Sequence, residues 1–339
     1  MQRRSLIQSA IGRIAGNITG NIVGGILGIT LSFAASAQTK WDLPTPYADS
    51  IYHTANVRTF VDDVKKATNG ALDITVHSNA SLIKHPDSLR AVQTGQVNIA
   101  EFLISQFGND DPMFEVDSLP FTAIGFDAAW KLYQAHKPAL EKSYQKRGIR
   151  MLFSVPWPGQ AIFTKNELKS VADLKGVKFR TYNPITSKIA EGVGAIPTTV
   201  QAAELPQAFA TGVVSAMITS SSTGVSSKAW EFSKYYYDTN AFHPRNAVVV
   251  NERAYAALPD NVKAAVQKAA ADAEKRGWEM ARKNQGDGIA KLKENGMTIV
   301  QPDAALAYAL IKVGDGIAAD WVKKAGADGE TIIKTYRSK

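Results

Sequence analysis

After residue 38 this chain alternates between short apolar strands and amphipathic helices, and nothing else in it restricts the fold as tightly. Trp41-Asp42-Leu43-Pro44 has the rhythm of a strand running into a loop at Thr45 to Tyr52. Phe60, Val61, Val64 and Ala67 then fall on one face of a helix that Asn69-Gly70 ends. Leu72, Ile74 and Val76 alternate as a second strand. His85-Pro86-Asp87 opens another helix, closed at Gly95, and Val97 to Ile104 is a third strand with Ser105 and Gln106 at its end. Repeated strand–helix–strand units predict an α/β fold with largely parallel sheets covered on both faces. Ligands of such folds sit beyond the carboxyl ends of the strands, which directs attention to Tyr47 to Tyr52, Ser105-Gln106 and Arg180.

A length of 339 residues suffices for two lobes, each with its own core. With 45% hydrophobic and 21% charged residues the chain reads as an ordinary soluble globular protein. The net charge of +8 includes Arg3, Arg4 and Arg13 of the leader; removing these three leaves +5. The remaining basic residues are scattered among 31 acidic ones without a basic run, so no nucleic-acid partner is expected. A modestly basic surface helps to attract anions. Cysteine is absent, which excludes disulfides and thiolate chemistry.

The first 37 residues read as an export signal. Met1 to Arg13 is basic and free of acids, Ile14 to Phe33 is apolar and glycine-rich, and Ala35-Ser36-Ala37 is an A-x-A cleavage site before Gln38. Arg3-Arg4-Ser5-Leu6-Ile7 resembles the twin-arginine pattern, with general secretion as the alternative route. Asn17, Asn21 and the glycines argue against a retained anchor. The mature protein is therefore expected in the periplasm.

Catalytic and metal-binding patterns are weak. His53, His77, His85, His136 and His243 show no ligand spacing and read as surface or loop residues. Ser220-Ser221-Ser222-Thr223-Gly224 is not a nucleophile elbow. Gly314-Asp315-Gly316 lacks the context of a dinucleotide fingerprint, and Asn109-Asp110-Asp111-Pro112 lacks calcium-loop spacing. The expectation is a binding protein with no cofactor and no metal, not an enzyme. A hydrolase with an unrecognised site is the alternative from another class.

Val171 to Met217 carries the binding hypothesis. Arg180 ends a short apolar strand (Val177, Phe179) just before Asn183-Pro184, a good N-cap followed by a proline suited to the first helical position. A permanently charged, bidentate donor beside a helix N-terminus suits a small carboxylate. Trp157, Tyr182, Phe102 and Phe242 are aromatics near the predicted cleft, of which Trp157 and Tyr182 flank site residues. Met151 to Gln160 is a strand broken by prolines, so the chain leaves its first sheet there.

DLKGVKFR, the proline-started helix, the Gly-Ala-Ile-Pro loop and a helix ending TGVV resemble the signature region of the TRAP-transporter periplasmic solute-binding proteins, the DctP-like family. KATNGALDITVHSNASL, AVQTGQVNIAE, DSLPF and VVVNERAYAALPDNVKAAV also match, in the family's order, from about Trp41 to the mid-300s. The resemblance implies a two-lobed fold, each lobe a mostly parallel sheet flanked by helices, with a long interlobe helix within Ala257 to Lys293. Lobe I would be 38–158 plus 246–285. Lobe II would be 159–245 plus 286–339, with helices after Pro302 closing it.

It further implies that Arg180 clamps a ligand carboxylate. Gln160 stands where many members carry a second arginine, which favours a monocarboxylate: a 2-oxo or 2-hydroxy acid, or an aromatic one. Thr219 and Ser220 replace a common asparagine, and hydroxyls suit a keto or hydroxyl oxygen. Glu204 is expected to cap a helix. The site expected on these grounds comprises Arg180, Gln160, Trp157, Tyr182, Asn183, Thr219, Ser220, Ser105, Tyr47 and Phe242. Its partners would be a small organic acid anion and the membrane subunits of a sodium-coupled TRAP permease, with the receptor a monomer. An ATP-driven importer could use a similar receptor.

Overall fold

The computed structural model describes residues 38–338, so the expected signal segment 1–37 and its cleavage site lie outside the described residues. Strand β1 (Thr39–Pro44) and strand β2 (Leu72–His77) pair in parallel, joined by helix α1 (Tyr52–Ala67). Val57, Phe60, Val61 and Val64 form the buried stripe of α1. Ala67, expected on that face, is exposed; the stripe continues through Thr68, whose hydroxyl donates to Val64 O at 2.9 Å. Asn69 (φ 49°) and Gly70 (φ 77°) then turn the chain. Helix α2 (Ser88–Thr94) ends at Gly95 (φ 76°), and strand β3 (Ile99–Leu103) runs into a 3₁₀ turn, Ile104–Phe107, that holds Ser105 and Gln106. Helix α3 (Phe126–Gln145) and strand β4 (Ile149–Pro156) follow.

Past the prolines come strands β5 (Gln160–Thr164) and β6 (Lys178–Thr181), helix α4 (Pro184–Gly192) and strand β7 (Ile196–Thr199). Helix α5 (Leu205–Ala210), strand β8 (Ala216–Ser220), helix α6 (Ser221–Ser226) and strand β9 (Tyr235–Tyr237) complete that run. Strand β10 (Arg245–Asn251) and helix α7 (Glu252–Ala256) lead into the long helix α8 (Asp260–Glu294), strand β11 (Thr298–Val300) and helix α9 (Ala304–Ser338).

The expected two-lobed α/β class is present, and the strands sort into β1-β2, β3-β10-β4 and β11-β9-β5-β8-β6-β7. Largely parallel pairing holds for β6, β7 and β8 and for β9 with β11. It is corrected for β10, antiparallel to both β3 and β4, and for β5, antiparallel to β8 and β9. The cause is the crossover. The chain leaves at the carboxyl end of β4 and returns there, with Arg245 opposite Pro156, so β10 must run back alongside it.

Helix α8 lies against α1 and β4 at one part of its length and against α6 at another. A glycine permits each approach: a Cβ at Gly277 would meet Val155 and Asn56, and one at Gly288 would meet Ser221. The Gly277→Val variant should therefore lose about 1–3 kcal/mol through overpacking. Urea denaturation reads this directly, and an unchanged midpoint would contradict the close approach. Helix α9 differs from expectation. Rather than closing the second lobe alone, it packs on α3 as well as α4; Trp321 Nε1 donates to Pro112 O at 2.7 Å and Lys324 pairs with Glu115 at 3.0 Å. The leucines and Trp321 on its buried stripe need both surfaces. Within it, Gly314 sits where a Cβ would meet Phe121 and Pro120, a packing reason for the first glycine of GDG, whereas Gly316 borders open space.

Candidate functional site

The parallel strands β8, β6 and β7 end side by side, and their carboxyl ends present Thr219 and Ser220, Arg180 to Tyr182, and Gln201. Gln160, at the start of β5, lies opposite Ser220. Facing them are Tyr47 after β1, His85 before α2, Leu103 at the end of β3, Trp157 after β4 and Pro244 before β10. Together with Ala202 and Thr223 these residues line a pocket of about 380 Å³, a volume that includes its opening to solvent.

Arg180 is 3% exposed, yet among the described residues no carboxylate is close enough to pair with it. Its Nε donates to Val200 O at 2.9 Å, and its guanidinium lies 4.7 Å from the centre of the Tyr182 ring. Those two contacts fix the plane of the fork and leave its terminal nitrogens, on the cavity wall, without an acceptor among the described residues. Burial pulls its pKa down to about 10, so the group stays charged at neutral pH. Asn183 caps α4 as expected, with Oδ1 accepting from Thr186 N at 2.7 Å.

Two side-chain amides have orientations dictated by their neighbours. Gln160 Nε2 donates to Pro158 O at 2.9 Å, so its Oε1 accepts from Tyr182 Oη at 2.6 Å. Asn246 Nδ2 donates to Glu101 Oε1 at 3.0 Å, and its Oδ1 accepts from Trp157 Nε1 at 2.8 Å and from Tyr47 Oη at 3.4 Å. Glu101 is buried behind the cavity. Burial pushes its pKa up, but His53 and the hydrogen bonds from Thr45 and Asn246 outweigh that and hold it below the ordinary value. His53 lies between the rings of Tyr52 and Trp157, at 4.3 and 4.2 Å, where burial lowers its pKa against the pull of Glu101, whose Oε1 is 3.5 Å from Nδ1.

His85 is a cavity residue that the sequence did not reveal. Its Nε2 accepts from Leu103 N at 3.2 Å, so the proton resides on Nδ1 and is donated to Gln201 Oε1 at 3.1 Å. Burial takes its pKa down to about 4, consistent with that neutral form. This bond ties the α2 side of the cleft to the β7 side.

Of the ten expected residues, Arg180, Gln160, Trp157, Tyr182, Thr219, Ser220 and Tyr47 line the cavity. Asn183, Ser105 and Phe242 do not. Asn183 Nδ2 donates to Ser105 Oγ at 2.8 Å behind the wall, and Phe242 is core, its carbonyl accepting from Gln160 N at 3.0 Å. Phe102 packs on Phe107 and Tyr144 in the core. Glu204 accepts from Gln201 N at 3.3 Å, a capping contact. The histidines correct the expectation most: His53, His85, His136 and His243 are buried, His53 and His243 against aromatic rings and His136 against Arg245. Gln201 could have been found by extending the carboxyl-end rule to β7. His85 carried no such signal.

Residues 45–321 match the family model described as bacterial extracellular solute-binding protein, family 7. The chain is 30% identical over 251 residues to the C4-dicarboxylate-binding periplasmic protein DctP of Rhodobacter capsulatus, covering 70% of this chain and 73% of that one. Its fold superposes with a TM-score of 0.88 on DctP6, a Bordetella pertussis extracytoplasmic solute receptor binding pyroglutamic acid, at 49% identity over 89% of this chain and 100% of the other. It superposes equally, at 0.88, on a marine metagenome TRAP solute-binding protein specific for pyroglutamate, at 38% identity over 89% of this chain and 99% of that chain. Among the described residues no helix is long and apolar enough to cross a membrane.

Proposed function

This chain belongs to the bacterial extracellular solute-binding protein family 7, and on that premise we propose that it is a periplasmic receptor for pyroglutamate that serves a sodium-coupled TRAP permease. The observation that carries the anion is Arg180: a buried fork with no acid of its own, aimed into a small cavity. Such a charge is costly without a counter-ion, and a ligand carboxylate supplies one. A single cationic residue on the wall, with the neutral Gln160 beside it, favours one carboxylate over two. Pyroglutamate is favoured by the pyroglutamate-binding relatives at 49% and 38% identity. This narrows the ligand from the expected 2-oxo, 2-hydroxy or aromatic acid to a lactam acid.

In this reading Arg180 takes the carboxylate, while Thr219, Thr223 and the Gln201 amide offer donors to the lactam carbonyl, the Ser220 hydroxyl being spent on Thr223 at 3.2 Å. The lobes hinge open and close around the ligand, residues 38–158 and 246–285 moving against the rest, and the α8 helix spans them. Closure excludes water and presents the surface that the permease reads. No bond in the ligand is made or broken.

A thermal-shift panel of pyroglutamate, proline, succinate and lactate tests this reading. At one hundred times Kd, binding stabilises by about 2.7 kcal/mol, roughly a 5 °C rise in melting temperature. Only pyroglutamate should produce it. A shift with succinate or lactate and none with pyroglutamate would reject the assignment.

A further inference from the structure

The two phenols on the cavity wall have already committed their protons. A tyrosine hydroxyl owns one hydrogen, and whatever remains after it is donated is an acceptor. Tyr182 must donate to Gln160, because Pro158 O can only accept and so turns the amide oxygen of Gln160 toward the phenol. Tyr47 must donate to Asn246, for two independent reasons. Glu101, a carboxylate, takes the amide nitrogen, and Trp157 Nε1–H, which can only donate, takes the amide oxygen. Thr45 donates to the other oxygen of Glu101 at 2.6 Å and steadies the base of this chain. Either phenol oxygen can therefore meet a ligand only as an acceptor, in a wall whose other polar side chains are the Arg180 fork, His85, the two glutamine amides and hydroxyls, of which Ser220 is already spent on Thr223.

The geometry points to Tyr47 and Tyr182 as an acceptor pair that reads an N–H on the ligand, with Asn246 and Gln160 as the residues that set its polarity. The inference rests on the lactam reading above and deepens it. Pyroglutamate carries its ring N–H next to the carbon that bears the carboxylate. The acceptor must then stand beside the carboxylate clamp, and the Tyr182 ring lies directly against the Arg180 guanidinium. A ring oxygen in place of N–H would set lone pair against lone pair. The carboxylate contact would be unchanged.

The test measures Kd by calorimetry for two matched pairs: pyroglutamate against 5-oxotetrahydrofuran-2-carboxylate, and pyrrole-2-carboxylate against furan-2-carboxylate. In each pair only N–H becomes O. The unaltered protein should favour the N–H member by about tenfold or more, the scale of one buried hydrogen bond. Tyr47→Phe and Tyr182→Phe should each narrow that ratio, and the double variant should bring it to within about threefold of unity. The affinity for the oxygen members should persist, which also reports that the variants are folded. If the double variant does not fold, the two single variants decide. A ratio near one in the unaltered protein, a full ratio kept in the variants, or no binding of any of the four acids overturns the inference. Preference within the pyrrole pair without pyroglutamate binding would instead remove the ligand assignment and leave the acceptor pair standing.

Discussion

Replacing Arg180 by alanine is expected to abolish ligand binding while leaving the protein folded. On the cavity wall the guanidinium is desolvated and, among the described residues, has no acid within reach; the proposed ligand carboxylate is the partner that would balance it. Truncating one member of a buried, hydrogen-bonded charge pair costs about 2–5 kcal/mol, roughly thirty-fold to several-thousand-fold in Kd. The effect on the empty protein runs differently. Alanine forfeits the bond from Nε to Val200 O and the contact with Tyr182, but it also removes a cation whose burial is uncompensated. These oppose each other, so the melting temperature without ligand should move by only a few degrees. Arg180→Met keeps more of the packing and should melt at or above the parent. Arg180→Lys keeps the charge without the two-pronged geometry and should bind with intermediate affinity. Calorimetry showing undiminished affinity in the alanine variant would reject the clamp. If instead affinity and folding were lost together in all three variants, Arg180 would be a structural residue.

How much of this was legible in the sequence depends on which physical signal each residue carried. The strand–helix rhythm from Trp41 to Ile104 located β1, α1, β2, α2 and β3, because burial against a sheet imposes a period that composition cannot hide. Asn183-Pro184 marked the start of α4 through capping chemistry alone, and Asn183 does cap that helix. The strand directions of β5 and β10 were not legible, since direction depends on where a chain re-enters a sheet and leaves no mark on side-chain periodicity. The same limit explains His85. Its place on the cavity wall follows from Leu103 N and Gln201, residues 18 and 116 positions away. Phe242 erred in the opposite sense: proximity in sequence to a cleft says nothing about which way a ring points.

Stability should fall steeply as pH drops from about 6.5 to 4, and the buried histidines are the cause. In an unfolded chain each titrates near 6.5. Folded, burial lowers the pKa of His53, His85, His136 and His243, the values for His85 and His243 reaching about 4. Between those limits the unfolded chain takes up protons that the folded chain refuses, so stability present above pH 6.5 is lost on the way down. At 1.36 kcal/mol per pKa unit, His85 and His243 each account for about 3 kcal/mol. Asp117 works against them. Burial raises it to about 6 against the opposing pull of Arg245, so the folded chain binds its proton first and regains about 3 kcal/mol between pH 6 and 3.8. His85 and His243 together still outweigh it by about 3 kcal/mol, and His53 and His136 act in the same direction, against the 5–15 kcal/mol that holds a typical domain folded. Urea midpoints should be flat from pH 8 to 7 and fall progressively below 6.5. His85→Gln, whose carbonyl can still accept from Leu103 N, should flatten the slope by one proton. Midpoints that hold steady or rise between pH 6.5 and 4.5 would mean that these histidines are charged in the folded protein, and with that the neutral Nδ1–H form of His85 that bridges to Gln201 would have to be abandoned.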